Sequence, residues 1–127
     1  MAAKKAGRKA QASRKTKETD FSISVDLDGA GKASIKTGLG FFDHMLGQIA
    51  RHGLIDITVR GKGDLDVDGH HTVEDVGILL GQTLAKAMGD RAGITRYSSI
   101  RLPMMDALVA VAMDAGGRGT LVFRGSF

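Results

Sequence analysis

The chain has 127 residues, of which 43% are hydrophobic and 25% are charged, a composition typical of one soluble globular domain. It contains no cysteine, so disulfide frameworks, thiolate metal sites and cysteine nucleophiles are excluded. The longest apolar run, 107–113, covers seven residues, whereas a helix needs roughly 20 to cross a bilayer. No apolar secretory segment follows the N-terminus. We therefore expect a cytoplasmic protein with no membrane partner.

Positive charge is concentrated at the N-terminus. The formal net charge is +4, but residues 1–17 hold seven Lys or Arg residues and no acidic residue, and the other 110 residues carry eleven basic and fourteen acidic groups. A basic arm can bind nucleic acid, yet no aromatic side chain is interleaved with this one to stack on bases. A solvated arm is the simpler interpretation, so nucleic acid is not an expected partner. Residues 1–7 are predicted to form a basic tail.

Alternating hydrophobicity predicts the first strands. From residue 21 every second side chain is apolar, which places these side chains on one face of a strand. The Asp-Gly-Ala-Gly segment at 28–31 then predicts a hairpin turn into a second strand at 33–37. Residues 54–59 are rich in β-branched side chains and predict a further strand, followed by a loop of turn-forming residues at 61–69.

Two helices are predicted between and after these strands. The first is expected to end at Gly53 in a left-handed cap. The second is expected to begin near Thr72 as its N-cap, with Glu74 and Asp75 in the first turn, where the helix dipole favours negative charge. Gly89 is expected to end it. Apolar residues at helical spacing define the two buried sides, which are Phe42, Met45, Leu46 and Ile49 in the first helix and Val73, Val76, Leu80, Leu84 and Ala87 in the second.

The C-terminal part of the chain repeats the N-terminal part at a constant offset of 86 residues. This offset aligns Val25 with Val111, among other matches that extend to residue 127 without a gap. Such a register suggests two copies of one β-rich unit. We therefore predict a first repeat unit over 8–95 and the opening strands of a second over 96–127. On this interpretation a complete protein would continue for about 70 further residues.

The histidines form a cluster that is typical of a metal site. All four lie within 28 residues and have acidic neighbours. Neutral imidazole and carboxylate groups suit zinc, manganese or iron, and manganese tolerates oxygen-rich surroundings better than zinc does. On a helix His70 and Glu74 share a face, whereas His71 is rotated by about 100°. The adjacent imidazoles are therefore expected to serve different ions, with a neighbouring chain as one source of ligands. The other two are His44 and His52, and an ordinary surface role stays open for His52.

A calcium-binding loop is an alternative interpretation of residues 64–75. Oxygen ligands alternate there and a glycine stands at the position of the sharp turn. Three features weaken it: Asp75 stands in place of the terminal glutamate, His71 occupies the hydrophobic position, and a predicted strand precedes the loop.

Two arginines in glycine-containing loops are candidate phosphate ligands. Arg96 and Arg118 each follow glycines, and a guanidinium group can hold a phosphate by paired hydrogen bonds. A solvated surface position is the ordinary alternative for both. The glycines themselves make neither a dinucleotide fingerprint nor a P-loop.

Eight short motifs occur along the chain between about residues 8 and 121. They are Arg-Lys-Thr-Lys-Glu-Thr (14–19), Leu-Asp-Gly-Ala-Gly (27–31), Thr-Gly-Leu-Gly-Phe-Phe-Asp-His-Met-Leu (37–46), His-Gly (52–53), Gly-Asp-Leu (63–65), Asp-Gly-His-His-Thr-Val-Glu-Asp (68–75), Gly-Ile-Thr-Arg-Tyr (93–97) and Gly-Gly-Arg (116–118). In residues and order they resemble the imidazoleglycerol-phosphate dehydratase family. The motifs around His44 and His70 are together highly specific.

The resemblance implies a hydro-lyase of histidine biosynthesis that dehydrates imidazole glycerol phosphate to imidazole acetol phosphate. It implies an α/β fold of the α+β two-layer type, built from a duplicated ββαβα unit like domain 2 of ribosomal protein S5. This chain would hold the first unit complete and the second only begun. The resemblance also implies a large homo-oligomer with two Mn²⁺ sites at subunit interfaces.

The resemblance further implies roles for individual residues. The positions that match manganese ligands are His44, His70, His71 and Glu74. Those that match substrate or phosphate contacts are Glu18, Gln48, Arg96 and Arg118. The proton to be removed lies on a carbon beside the imidazole ring and is barely acidic, so both metal ions and a proton-transferring carboxylate are expected. The catalytic candidates are Glu18 and Glu74.

The chain also departs from the family pattern. A second His-His-x-x-Glu motif and a substrate-binding lysine are expected beyond residue 127. Residues 104–108 are Met-Met-Asp-Ala-Leu where the family has Met-Asp-Glu-Ala-Leu, so Met105 replaces one carboxylate and Asp106 shortens another. These departures keep a second hypothesis open, a non-catalytic metal-binding or self-assembling half-unit.

Overall fold

The structure, a computed structural model, describes residues 7–127 in two compact units that divide between Asp90 and Arg91. The predicted basic tail therefore lies outside the described residues, apart from Gly7. In chain order the elements of residues 7–127 are β1 (Lys9–Lys15), β2 (Thr19–Asp26), β3 (Ala33–Lys36), α1 (Gly40–Gly53), β4 (Asp56–Gly63), α2 (His70–Met88), β5 (Tyr97–Met104) and β6 (Ala107–Asp114). Neither helix is long and apolar enough to cross a membrane.

The basic segment at 9–15 is a strand, so the prediction of a solvated arm is wrong there. β1 pairs with β2 along its whole length, from Lys9 opposite Asp26 to Lys15 opposite Asp20. The Nζ atoms of these lysines lie 2.9 and 3.3 Å from the opposing carboxylates. Because β1 has no alternation of large apolar residues, its sequence shows no strand pattern. Its backbone pairing and the opposite charges across the pair stabilise it instead.

The strands of the first unit form one sheet in the order β1-β2-β4-β3. β2 pairs antiparallel with β1 on one side and with β4 on the other, and β3 runs parallel to β4. The predicted hairpin turn at 28–31 is therefore wrong, because β4 lies between the two strands that this segment connects. The Oδ1 of Asp56 in β4 holds the loop by accepting the N–H groups of Ala30 and Lys32 at 2.9 and 2.8 Å. Turn residues predict a chain reversal, but not which strands become neighbours.

Both helices pack on one face of this sheet, which confirms the predicted α+β two-layer fold class. Alternate side chains of β2 and β4 are buried on that face, and burial of each large one stabilises the fold by roughly 1.5–3 kcal/mol. The core consists of Phe21, Ile23, Val25, Leu46, Ala50, Ile57, Val59, Val76, Leu79 and Leu80.

The first helix ends one residue later than predicted. Gly53 is its last residue, and Leu54 takes the left-handed conformation, with φ 53° and ψ 35°. β4 then extends to Gly63, beyond the predicted end of the strand. Gly61 makes this extension possible, because a Cβ atom there would overlap the carbonyl oxygen of Asp20 in β2.

The second helix begins earlier than predicted. α2 starts at His70, so Thr72 is a fully buried helical residue and not the N-cap. The Oδ1 of Asp68 accepts the N–H of His70 at 2.8 Å and so satisfies a free N–H of the helix start. As a result the two acidic residues at 74–75 lie beyond the first turn. Gly89 ends the helix as predicted, with φ 59°.

The second unit contains one antiparallel hairpin. β5 and β6 pair from Tyr97 opposite Asp114 to Met104 opposite Ala107, and all sixteen strand residues are exposed. The offset of 86 residues places β2 on β6, but equivalent residues of β1 and β5 are 90 residues apart. Ala10 pairs with Val25 and Ile100 pairs with Val111, so the second hairpin is four residues shorter between equivalent positions. The division into repeat units over 8–95 and 96–127 stays a prediction.

Candidate functional site

The start of α2 and the loop that leads into it carry most of the predicted site residues. His70 and His71 are the first two residues of the helix, and Asp64 follows β4 directly. A turn closed by the Val67 N–H and the Asp64 carbonyl (2.9 Å) shapes the loop. With Asp68 bonded to the His70 N–H, the loop fixes where the helix begins.

The two adjacent imidazoles contact different carboxylates. The Nε2 of His70 lies 3.1 Å from the Oε2 of Glu74, one helical turn further on. The Nδ1 of His71 lies 2.8 Å from the Oδ2 of Asp64. The ring centroids are 5.5 Å apart and the ring planes are inclined by 81°. The geometry agrees with the expectation that His70 and Glu74 share a helix face while His71 faces another group.

The His71–Asp64 pair is the more enclosed of the two. The side chain of Asp64 is 19% exposed, and its Oδ1 is buried without a hydrogen-bond partner in residues 7–127. The hydrogen bond to Asp64 raises the pKa of His71, and the charges of Asp64, Glu18 and Asp68 add to this effect. By contrast, His70 and Glu74 have side chains that are 70% and 56% exposed. An open depression beside them is lined by Gly69, His70, Val73 and Glu74.

Glu18 lies in the turn between β1 and β2, and its negative charge acts on His71. The hydroxyl of Thr16 accepts the N–H groups of Glu18 and Thr19 at 3.1 and 3.0 Å, which fixes the turn. The negative charge of Glu18 contributes to the raised pKa of His71. The structure therefore brings Glu18 into the neighbourhood of the α2 start, although the two segments are far apart in sequence.

Asp75 anchors the start of α2 to the sheet. Its Oδ1 accepts a hydrogen bond from the Nε of Arg14 at 2.8 Å, and its Oδ2 accepts one from the hydroxyl of Thr19 at 2.5 Å. These two bonds hold the pKa of Asp75 below its usual range. Both oxygens are occupied, which argues against the alternative of Asp75 as a calcium ligand. Sequence reasoning missed this anchor, although Asp75 shares its helix face with the buried residues Val76 and Leu79.

Among residues 7–127, the predicted ligand His44 of α1 does not join the contacts of His70 and His71 in a group of three or more donors. His44 is exposed, and the Oε1 of Gln48, one turn later, accepts a hydrogen bond from the Nε2 of His52 at 3.0 Å. Within residues 7–127 no group of three or more His, Asp or Glu side chains converges closely enough to hold an ion. The structure therefore pairs the predicted ligands His70 and Glu74 but does not gather all four.

Arg96 and Arg118 belong to the second unit. The guanidinium of Arg96 makes a two-point contact with Asp114, Nε to Oδ1 at 2.6 Å and Nη2 to Oδ2 at 3.0 Å. It also lies 4.9 Å from the centroid of the Tyr97 ring. This contact keeps the pKa of Asp114 low. Arg118 is exposed in an irregular segment. A phosphate group would have to compete with Asp114 for Arg96.

A family profile described as imidazoleglycerol-phosphate dehydratase matches residues 37–127. The chain belongs to this family. A dehydratase of this name from Cereibacter sphaeroides is 62% identical over 116 residues, which cover 91% of this chain and 60% of that protein. One from Methylorubrum extorquens is 59% identical over 120 residues, or 94% and 62% of the two chains. The motif resemblance is thereby confirmed.

A solved structure supports the same family and fold. The crystal structure of imidazoleglycerol-phosphate dehydratase from Staphylococcus aureus superimposes with a TM-score of 0.77 at 32% sequence identity, covering 93% of this chain and 64% of that one. This chain thus spans about 60% of the length of the curated relatives that it matches. The profile match includes the predicted ligands His44, His70, His71 and Glu74, whose roles stay predictions.

Proposed function

We propose that this chain forms part of a manganese-dependent dehydratase that converts imidazole glycerol phosphate to imidazole acetol phosphate in histidine biosynthesis. The observation that carries the proposal is the pair of adjacent imidazoles at the start of α2, which contact two different carboxylates, Glu74 at 3.1 Å and Asp64 at 2.8 Å. Two histidines arranged in this way can serve two separate cations. The names of the similar proteins support the choice of substrate.

The residues that would hold manganese are His44, His70, His71 and Glu74. Imidazole nitrogen and carboxylate oxygen are donors that manganese accepts, and the buried, unpaired Oδ1 of Asp64 adds negative charge to this region. Since residues 7–127 alone gather no group of three donors, other copies in a large homo-oligomer would supply the remaining ligands at subunit interfaces. A bound divalent cation supplies Lewis acidity, which stabilises negative charge on the imidazole ring of the substrate.

The protein groups bind the substrate and move its proton. Glu18 is our candidate base, because its negative charge acts on His71 and it precedes Thr19, which is hydrogen-bonded to Asp75 of α2. Glu74 is the second candidate and doubles as a ligand. Gln48 contacts the substrate, while Arg96 and Arg118 bind its phosphate group by paired hydrogen bonds.

A titration of the purified chain with Mn²⁺, followed by electron paramagnetic resonance, tests the metal site. We expect the unmodified chain to bind Mn²⁺, and His70→Ala and His71→Ala each to weaken binding at least about tenfold, since even outer-shell partners are worth about 10–100-fold. His52→Ala is the matched control, because it removes an imidazole from α1 that is not among the proposed ligands. Failure of the unmodified chain to bind Mn²⁺ would contradict the proposal, as would an equal loss in the control.

The second candidate function is a non-catalytic metal-binding or self-assembling half-unit. The exposed apolar side chains of the β5–β6 hairpin favour it, among them Leu102 at 60% and Leu108 at 65% exposure. An assay for imidazole acetol phosphate separates the two candidates. Formation of this product supports the dehydratase, and Mn²⁺ binding without turnover in a chain that self-associates supports the half-unit.

A further inference from the structure

Asp64 is the central residue of the Gly-Asp-Leu motif at 63–65, and the resemblance assigned it no role. Its carboxylate lies at the end of β4, largely buried, with Oδ2 at 2.8 Å from the Nδ1 of His71. Its second oxygen is buried and has no hydrogen-bond partner in residues 7–127. Burial of an unpaired carboxylate oxygen is costly. Such a group therefore points to a role besides joining the loop to the helix.

The contact determines which nitrogen of His71 carries the proton. An ionised carboxylate only accepts hydrogen bonds, so the Nδ1 of His71 must be the donor. In a neutral imidazole one nitrogen donates and the other holds a lone pair. With Nδ1 protonated, Nε2 of His71 is left with the lone pair that a metal ion requires. His70 differs, because its carboxylate partner, Glu74, contacts Nε2 itself.

We propose that Asp64 is a positioning residue that holds His71 in the Nδ1-protonated tautomer, fixes the rotation of the ring and so presents Nε2 to a divalent cation. The identity of the ligand rests on the proposed function. The tautomer itself is a property of the cation-free chain and is measured without it. Carboxylates that orient histidine ligands in this way are common in metal sites.

Nuclear magnetic resonance of the ¹⁵N-labelled full chain without metal tests the tautomer. Long-range ¹H–¹⁵N spectra are recorded above the pKa of His71, where the ring is neutral. We expect His71 to carry its proton on Nδ1, and Asp64→Ala to move most of the population to the Nε2-protonated form. Asp66→Ala is the matched control, because it removes the same charge from an exposed position of the same loop. An Nε2-protonated His71 in the unmodified chain, or an unchanged tautomer in Asp64→Ala, overturns the inference.

Mn²⁺ affinity measured by electron paramagnetic resonance gives the second readout. Asp64→Ala should weaken binding by about 10–100-fold, while Asp66→Ala should stay within about twofold. If Asp64→Ala does not fold by circular dichroism, Asp64→Leu replaces it, since leucine fills a similar volume and offers no acceptor. Equal affinity in a folded Asp64 variant overturns the inference and leaves the proposed function standing. Absence of binding in the unmodified chain contradicts the proposed function, and the tautomer measurement then decides the inference alone.

Discussion

The two units of the chain differ in what holds them together. Within residues 7–90 the first unit buries a core of ten apolar side chains between a four-stranded sheet and two helices. The second has one hairpin, in which all sixteen strand residues are exposed. Two antiparallel strands by themselves are at best marginally stable in water. The two units are therefore expected to have very different local stabilities.

This difference also separates the candidate residues, which occur in both units. His70 and His71 lie on α2, which packs against the core and which Asp75 ties to the sheet. Asp64 directly follows β4, which contributes to the same core. Their geometry is set by the fold before any ligand binds, which lowers the cost of binding. Arg96, by contrast, is held by Asp114 in the exposed hairpin. We infer that the proposed metal ligands of the first unit are preorganised, whereas the proposed phosphate ligand Arg96 of the second unit is not.

Hydrogen exchange should show the largest contrast. Amide hydrogens in β2, β4 and α2 can exchange only when the core opens. Those in β5 and β6 can exchange whenever the hairpin itself opens. We expect protection factors in the first group to exceed those in the second by at least about a thousandfold. Exchange measured by mass spectrometry or nuclear magnetic resonance on the full chain checks this. Equal protection in the two units would show that the hairpin has a source of stability besides its own pairing.

Replacement of one leucine in each unit should give the next largest difference. Leu79 is fully buried on α2, and Leu108 is 65% exposed on β6. Leu79→Ala leaves a cavity and should lower the free energy of unfolding by about 2–5 kcal/mol. Leu108→Ala is the matched control and should change it by less than about 0.5 kcal/mol. Urea unfolding followed by far-ultraviolet circular dichroism measures both, and a cost for Leu108 close to that of Leu79 would refute the contrast.

Local patterns in the sequence predicted the packed elements but not their neighbours. The apolar spacing around Leu46 and the alternation through Ile23 are each visible within one element, so α1 and β2 were predicted nearly in full. β1 was missed because residues 9–15 alternate small, basic and polar side chains and depend on pairing with β2. The parallel pairing of β3 with β4 is likewise a property of the whole sheet.

The candidate site shows the same limit at the level of side chains. The adjacent histidines and Glu74 were predicted from spacing and motif, because a helix places residues four apart on one face. The sequence did not show that Asp64 orients His71 or that Asp75 holds the start of α2 in place. Each makes its contact with a residue from another element, His71 in one case and Arg14 and Thr19 in the other. Contacts of this kind depend on tertiary packing, and no sequence spacing encodes them.

The pKa values of two aspartates, one in each unit, give the smallest expected difference between the first and the second unit and the most selective test of it. Backbone N–H groups of Lys32 and Ala30 lower the pKa of Asp56 below 3.8, while the Arg96 side chain lowers that of Asp114. Since both pKa values are lower in the folded chain, each carboxylate contributes stability that is present above the unfolded value of 3.8 and is lost as pH falls through the folded one.

Salt should separate these two carboxylates. An ion pair between exposed side chains is weakened as the screening length falls from about 10 Å at 0.1 M salt to about 3 Å at 1 M. Hydrogen bonds from a fixed loop backbone are much less sensitive. We expect high salt to raise the pKa of Asp114 towards 3.8 and to change that of Asp56 little, as measured by carboxyl ¹³C titration. Arg96→Gln should remove most of the shift in the pKa of Asp114, leaving the smaller contribution of the Gly116 backbone, and should leave the pKa of Asp56 unchanged. Equal salt sensitivity of the two groups would mean that the Asp56 loop is as loosely held as the hairpin, and would remove the basis for calling the first unit preorganised.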